Sequence, residues 1–158
     1  MAKNETLIVW SKTFECGINM IDDQHKGLIE LLNQMFNHAI GNEQQEYQYV
    51  EKIIEEIVNY IKNHFATEER LLSATKYASY PEHEKEHKDF IETVYRTIEE
   101  HKAGKPVFLS KFTIFLKDWV LSHIAIVDKQ YFEYIKRIAT LKADGKLSID
   151  AADIAAIK

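Results

Sequence analysis

The chain contains few residues that break helices or cross-link the polypeptide. Its 158 residues include five glycines, two prolines and one cysteine, Cys16. A single cysteine excludes an internal disulfide and fits a reducing compartment. The scarcity of glycine and proline favours long helices over a sheet with many tight turns.

The sequence also lacks the features that nucleic-acid or membrane binding would require. The formal net charge is −5 at pH 7, which argues against a basic face for nucleic acid. The first residues, MAKNETLIVWSK, contain no apolar segment long enough for a signal peptide. No run approaches the roughly 18 apolar residues of a membrane span. We therefore expect a soluble, cytoplasmic protein that neither binds nucleic acid nor inserts into a membrane.

Apolar residues recur at helical spacing along most of the chain and predict four long helices. The predicted helices cover about residues 19–40, 44–74, 81–103 and 109–141. Long amphipathic helices with short connections are typical of an up-down-up-down four-helix bundle, so the predicted fold class is all-α.

The two ends of the chain are expected to lie outside the four helices. Residues 1–17 have no clear periodicity but carry several apolar side chains, which predicts an N-terminal arm packed on the bundle. The bundle domain with its arm would cover residues 1–141. Residues 142–158 would form a short helical C-terminal extension, suited to binding a protein partner or to self-association.

Four clusters of histidine and carboxylate residues fall on the apolar sides of these helices, one cluster to each helix. They are His25, His64 with Glu68, His83 with His87, and His123 with Asp128. Histidine binds transition metals through its neutral imidazole, and carboxylates also serve as ligands. Seven such side chains in one core would be costly without a metal. The pattern therefore predicts a buried metal centre.

Other polar residues near these clusters have simpler interpretations. A lone histidine on an apolar stripe is more often a hydrogen-bonded core residue than a ligand, but clusters on all four helices reverse that expectation. His38 lies beside its stripe, and His101 lies near a helix C-terminus, where a partly charged imidazole is favourable. Glu69 is expected to point away from the site as a surface charge.

The number of candidate ligands predicts two metal ions. Seven ligands are too many for one tetrahedral zinc site and suit two six-coordinate ions bridged by both carboxylates. If an oxygen from solvent also bridges, each ion has three bridging oxygens. Three histidines then complete the six-fold coordination of one ion, and two histidines leave the other ion five-coordinate. The vacancy would accept a small ligand. Iron and manganese both suit these donors.

The spacing within the last cluster conflicts with a regular helix. Asp128 follows His123 by five residues, which is about 140° of rotation on an α-helix. Either the aspartate approaches from another direction, or the helix widens locally into a π-bulge, a feature that tends to occur at functional sites. A regular helix with Asp128 facing solvent would contradict the predicted site.

Around these residues the chain resembles the bacterial hemerythrins, over about residues 7–138. The resemblance lies in GINMIDDQHKGLIELLN, HFATEERLL, YPEHEKEHKDF and FLKDWVLSHIAIVDKQY. It implies a four-helix bundle with a non-haem di-iron centre that binds dioxygen reversibly, its two iron ions joined by an oxo or hydroxo group.

The resemblance also implies a role for each ligand. His83, His87 and His123 would bind the saturated iron. His25 and His64 would bind the iron with the vacancy, while Glu68 and Asp128 would bridge. Apolar residues near the ligands are expected to line the dioxygen pocket and exclude water: Ile21, Phe65, Trp119, Val120 and Ile124. Val120 occupies a position that often carries a bulkier apolar side chain in the family, so its pocket would be larger.

Three functions fit these expectations. The first is a dioxygen-binding protein for storage, transport or sensing, which is not an enzyme. The second is a di-iron enzyme acting on peroxide or nitric oxide, and the vacancy would also allow weak oxidase or peroxidase side activity. The polar residues on the stripes are nearly all ligands, which leaves no clear proton donor and argues against the enzyme. The third is a signalling module that acts in trans through the extension.

Overall fold

The computed structural model describes residues 5–39, 46–105 and 109–143 of the protein. These residues form six α-helices and two π-helical segments. In chain order they are α1 (Asn19–Ala39), α2 (Glu46–Tyr60), π1 (Ile61–Phe65), α3 (Ala66–Ala74), α4 (Tyr80–Lys102), α5 (Leu109–Trp119), π2 (Val120–Asp128) and α6 (Lys129–Ala143).

The eight elements make the four rods of a helix bundle. The first and third rods are α1 and α4. The second consists of α2, π1 and α3 without a break, and the fourth of α5, π2 and α6. The predicted all-α four-helix bundle is confirmed. Most of the predicted C-terminal extension lies outside the described residues, as do residues 40–45 between the first two rods. None of the helices described is both long and apolar enough to cross a membrane.

Two apolar clusters form the core, one on each side of the buried histidines. The first cluster includes Leu28, Ile57, Phe65, Phe90, Trp119, Val120 and Ile124. The second cluster comprises Cys16, Ile18, Ile21, Leu71, Leu72, Tyr131, Phe132 and Ile135. On α1, the residue His25 lies between Ile21 of the second cluster and Leu28 of the first. The candidate ligands therefore occupy a polar layer between two apolar ones.

The N-terminal arm is held against α1 by side chains of that helix. The Asn33 side chain accepts hydrogen bonds from the Leu7 and Ile8 N–H groups, each at 2.9 Å, and donates one to the Ile8 carbonyl at 2.8 Å. The Asp22 carboxylate accepts from the N–H groups of Cys16 at 2.8 Å and Gly17 at 3.0 Å. These bonds fix the start of α1 and thereby the position of His25.

Candidate metal centre

All seven candidate ligands lie in the interior of the bundle. The side chains of His25, His87, Glu68 and Asp128 are fully buried, and the other three histidines are at most 2 % exposed. Each of the four rods contributes at least one of them. The structure therefore brings together the whole set that the sequence pattern singles out.

The ligand atoms fall into two groups, each compact enough to surround one metal ion. One group contains Glu68, His83, His87 and His123, and the other contains His25, His64, Glu68 and Asp128. Within each group the ligand atoms lie within 4.8 Å of one another. Three histidines therefore belong to one position and two to the other, as the ligand count anticipates.

Glu68 extends between the two groups. Its Oε1 atom lies 3.1 Å from His64 Nε2, whereas its Oε2 atom lies 3.3 Å from His83 Nε2 and 3.2 Å from His87 Nε2. One carboxylate oxygen thus faces the two-histidine group and the other faces the three-histidine group. This geometry is the one that a carboxylate bridge between two metal ions requires.

Asp128 extends between the groups in the same way. Its Oδ2 atom lies 3.2 Å from His25 Nε2, and its Oδ1 atom lies 3.0 Å from His123 Nε2 and 3.4 Å from His83 Nε2. The two carboxylates are therefore the only residues of the seven whose oxygens face histidines of both groups.

The π2 segment explains how Asp128 reaches the site. A π-helix has i→i+5 hydrogen bonds, so residues five apart lie over one another. Both His123 and Asp128 are within π2, and both are buried. The predicted local widening of the fourth helix is confirmed. The π1 segment, which contains His64, was not predicted, because the four-residue spacing of His64 and Glu68 also fits a regular helix.

Deleting Ile126 tests the role of π2. The deletion reduces the spacing of His123 and Asp128 to four, which is the spacing that a regular α-helix needs to align them. Because Ile126 is 58 % exposed, little packing is lost. We expect the deletion variant to keep its helix content and its full metal content, measured by circular dichroism and elemental analysis.

A deletion outside π2 provides the control for this experiment. Deleting Lys117 in the regular helix α5 rotates the residues on one side of the deletion by about 100° relative to the other side. We expect that variant to lose its metal or fail to fold. If the Ile126 deletion were equally damaging, the proposed role of the π-helical segment would be wrong.

Three of the histidines have a hydrogen-bond acceptor on the side away from the centre. The Nδ1–H group of His64 donates to Gln24 Oε1 at 2.7 Å. The Nδ1–H groups of His87 and His123 donate to carboxylates, Glu69 Oε1 at 3.0 Å and Glu86 Oε2 at 2.6 Å. These bonds fix the tautomer in which Nε2 is free to bind a metal, and such partners orient metal-binding histidines.

These three partners are not evident from the sequence pattern. The prediction that Glu69 is a surface charge pointing away from the site was wrong. Glu69 lies 18 residues before His87 on a different rod, so only the packing of the rods brings the two together. Gln24 precedes His25 but bonds to His64, also on another rod. Helical spacing along one segment gives no signal for such pairs.

Tyr131 is a further contact that the sequence analysis did not identify. Its buried hydroxyl donates a hydrogen bond to Glu68 Oε1. It also packs edge-on against His83, with ring centroids 5.3 Å apart. Tyr131 therefore closes the side of the centre that faces the second apolar cluster and holds the Glu68 carboxylate in place.

The unpaired polar atoms of the site indicate that it is built to hold cations. The Asp128 oxygens and the Nε2 atoms of His87 and His123 lie close to other ligand atoms, yet none of them is in hydrogen-bond geometry with any described residue. An unsatisfied buried polar group costs about 1–3 kcal/mol. All of these atoms point into the same layer, where metal coordination would satisfy them. The donor set therefore fits a pair of metal ions.

Strong electrostatic coupling accompanies this arrangement. Burial alone would raise the pKa of Glu68, but the imidazoles of His64, His83 and His87 outweigh it and hold that pKa well below its usual value. Burial would lower the pKa of His123, but the carboxylates of Asp128 and Glu68 and the bond to Glu86 raise it to about 9. Without metal, His123 therefore carries a proton at neutral pH.

The raised pKa of His123 predicts how the stability of the metal-free protein depends on pH. Its pKa rises from 6.5 to about 9 on folding, so its contribution is full below pH 6.5 and is lost as the pH rises through 9. We expect the metal-free protein to lose on the order of 2 kcal/mol between pH 7 and 10. Urea unfolding across this range measures the loss. A His123→Gln variant should lack this pH dependence, and an equally steep loss in that variant would exclude His123 as its source.

Three aromatic rings cover the histidines on the side of the first apolar cluster. The ring of Tyr60 stacks on His64, with centroids 4.8 Å apart. Phe65 stacks on His87 at 3.8 Å, and Trp119 stacks on His123 at 4.0 Å. We call Tyr60, Phe65 and Trp119 the aromatic cap. Each ring fixes one ligand and shields it from solvent.

Four of the five residues expected to line a dioxygen pocket lie on the capped side. Phe65, Trp119, Val120 and Ile124 belong to the first apolar cluster. Ile21 instead packs in the second cluster, because it precedes His25 by one turn on α1. Leu28 follows His25 and occupies the capped side in its place.

The other two histidines are placed away from the ligand groups. His38 stacks on Tyr49, with ring centroids 3.6 Å apart. His101 is buried near the end of α4, and its Nε2 atom lies 3.8 Å from a carboxylate oxygen of Glu51. Neither residue belongs to the two metal-binding groups, which agrees with the interpretation from the sequence.

Comparison with protein families matches residues 16–135 to the family model of the hemerythrin HHE cation binding domain. A bacteriohemerythrin of Stenotrophomonas maltophilia is 30% identical over 130 residues, covering 82% of this chain and 82% of the relative. A bacteriohemerythrin of Pseudomonas aeruginosa is 31% identical over 129 residues, with the same coverage of both chains. A crystal structure of wild-type hemerythrin superposes with a TM-score of 0.72 at 26% identity and covers 80% of this chain and 96% of that one.

Proposed function

Because the chain belongs to the hemerythrin family, we propose that it binds dioxygen reversibly at a pair of iron ions and serves as a carrier, store or sensor of dioxygen. The observation that carries the proposal is the division of the seven ligands into a three-histidine and a two-histidine group that share Glu68, with the Asp128 oxygens facing histidines of both groups. The iron pair, joined by an oxo or hydroxo group, would supply the electrons that bind dioxygen.

The proposed ligand assignment follows the two groups. His83, His87 and His123 would hold the saturated iron, and His25 and His64 would hold the iron with a free position. Glu68 and Asp128 would bridge them, since their oxygens face both groups. Five histidines and two carboxylates leave one position of two six-coordinate ions free when an oxygen from solvent also bridges.

The side chains around the centre favour reversible binding over turnover. Phe65, Val120 and Ile124 are almost fully buried on the capped side and would exclude bulk water from the free position. Water would supply protons that promote the release of superoxide or peroxide, which leaves the iron oxidised. Excluding water should therefore slow this autoxidation. The histidine tautomers are fixed by Gln24 and Glu86, so that Nε2 stays available to the metal.

Reversible oxygenation tests the proposal directly. The protein is loaded anaerobically with ferrous iron, and its metal content is measured. On exposure to air we expect a ligand-to-iron charge-transfer band, which should bleach under vacuum and return over several cycles. Irreversible colouring would argue against a carrier. Steady turnover of peroxide or nitric oxide would favour the enzyme instead.

The small side chain of Val120 predicts an effect on autoxidation. Val120 is fully buried one turn before His123, on the capped side. A Val120→Leu variant adds one methylene and should narrow the pocket and reduce water access. We expect its oxygenated form to oxidise several-fold more slowly, measured as the decay of the charge-transfer band in air.

A surface substitution provides the control for the Val120 experiment. Leu121→Val makes the reverse change at the next position, which is 45 % exposed. It should leave the decay rate unchanged. If Val120→Leu decayed as fast as the unchanged protein, or faster, the size of this side chain would not control the access of water.

A further inference from the structure

The aromatic cap contains two buried polar atoms, the hydroxyl oxygen of Tyr60 and the indole Nε1 of Trp119. Apart from their contact with each other, neither has a hydrogen-bond partner among the described residues. Each belongs to a ring stacked on a candidate ligand. Buried polar groups in native proteins are nearly always paired. The Tyr60 hydroxyl can accept from the Trp119 N–H but has no acceptor for its own proton, which indicates a missing partner.

The surroundings place both atoms beside the metal centre. The rings of Tyr60 and Trp119 each contact Phe65, with centroid separations of 5.7 Å. The Trp119 side chain forms a hydrogen bond with that of Tyr60, and the Glu68 and Asp128 carboxylates lie close enough to act on the Tyr60 hydroxyl electrostatically. The Tyr60 hydroxyl is therefore a hydrogen-bond donor beside the candidate centre.

A surface groove adjoins this part of the protein. Tyr60 lines a groove of about 320 Å³ between α1 and the second rod, together with Gly27, Leu28 and His64. A β-carbon at Gly27 would meet nothing within 4 Å, so the groove is open there. The Tyr60 side chain therefore extends from this groove to a buried hydroxyl next to the candidate centre.

We propose that the Tyr60 hydroxyl, with the Trp119 indole N–H beside it, donates a hydrogen bond to a small anionic ligand held at the two-histidine metal position. This inference rests on the proposed function. It assigns the site a preference for diatomic or triatomic ligands that carry negative charge. It also revises the expectation that no proton donor lies near the pocket. That expectation was based on the polar residues of the ligand stripes, whereas Tyr60 is partly exposed in the groove.

Azide binding to the oxidised, iron-loaded protein tests the inference. A hydrogen bond to a charged group contributes enough that we expect Tyr60→Phe to weaken azide binding by about tenfold or more. Trp119→Phe should weaken it by a smaller factor. The antisymmetric stretch of bound azide should shift in D₂O in the unchanged protein and shift less in Tyr60→Phe.

Controls separate the hydrogen bond from damage to the fold. Tyr95→Phe makes the same chemical change on a side chain that is 62 % exposed and should leave azide binding unchanged. Circular dichroism and iron content verify that each variant is folded and loaded. If Tyr60→Phe does not fold, the D₂O shift in the unchanged protein and its reduction in Trp119→Phe decide the question.

Three negative results are possible, and the third has a different meaning from the first two. If Tyr60→Phe loads iron, binds azide with unchanged affinity and keeps the D₂O shift, the inference is overturned, and water satisfies the hydroxyl instead. If no D₂O shift is present in the unchanged protein, the inference is likewise overturned. If the unchanged protein binds no iron at all, the proposed function itself fails.

Discussion

Replacing Glu68 by glutamine is expected to reduce the iron content from two ions per chain to less than one. Glu68 is fully buried, and its two oxygens face both histidine groups. The amide has nearly the same volume, but it removes the charge and one acceptor oxygen. Removing a residue that hydrogen-bonds to a metal ligand lowers metal affinity by about 10–100-fold. Removing a bridging ligand itself should lower the affinity further.

Elemental analysis and the charge-transfer spectrum measure the effect of this substitution. Glu92→Gln makes the same chemical change on the exposed side of α4 and should retain two iron ions and the full spectrum. A Glu68→Gln protein that still held two ions with an unchanged spectrum would show that this carboxylate does not bridge.

Removing the metal is expected to lower the melting temperature by about 10–20 °C. An ion that binds only the folded state, present at 100 times its dissociation constant, contributes about 2.7 kcal/mol, so two ions contribute about 5 kcal/mol. For a domain of this size, each kcal/mol changes the melting temperature by about 2–4 °C. The physical cause is the polar layer, because metal coordination would satisfy buried donor atoms that the carboxylate–histidine contacts of the metal-free protein satisfy only in part.

Calorimetry with and without a chelator under anaerobic conditions measures this difference. The Glu68→Gln variant provides the matched control, since a protein that does not hold the pair should show little further change when a chelator is added. Equal melting temperatures for the loaded and the metal-free protein would mean that the seven side chains do not depend on metal for their stability.

The helices and the convergence of the seven histidine and carboxylate side chains could be predicted because both depend on local periodicity. Residues four apart lie on one face of a helix, so pairs such as His64 with Glu68 and His83 with His87 identify themselves. The π-helical segment at Asp128 could also be predicted, because a five-residue spacing is incompatible with a shared site on a regular helix. The confirmed fold follows from the same apolar stripes.

The contacts between rods could not be predicted from the sequence. Gln24 pairs with His64, and Glu86 pairs with His123, across interfaces whose register depends on the packing of whole helices. The choice between Ile21 and Leu28 as a pocket residue shows the same dependence. Both lie about one turn from His25 on α1, on opposite sides of the polar layer, and only the packing of the other rods distinguishes the two sides.

Tyr60 was not identified for a related reason. It precedes His64 by one helical turn and therefore lies close to the ligand face, but an aromatic residue at such a position normally indicates core packing. Only the folded structure shows that its hydroxyl is buried without a hydrogen-bond acceptor among the described residues. A polar atom on an otherwise apolar ring gives no signal in a hydrophobic pattern.

Elemental analysis and X-ray absorption at the iron edge would show directly whether the seven buried side chains hold a pair of iron ions. We expect two iron ions per chain, separated by about 3.5 Å and bound mainly by histidine nitrogen and carboxylate oxygen. A single ion per chain, or two ions without an iron neighbour at that distance, would contradict this expectation.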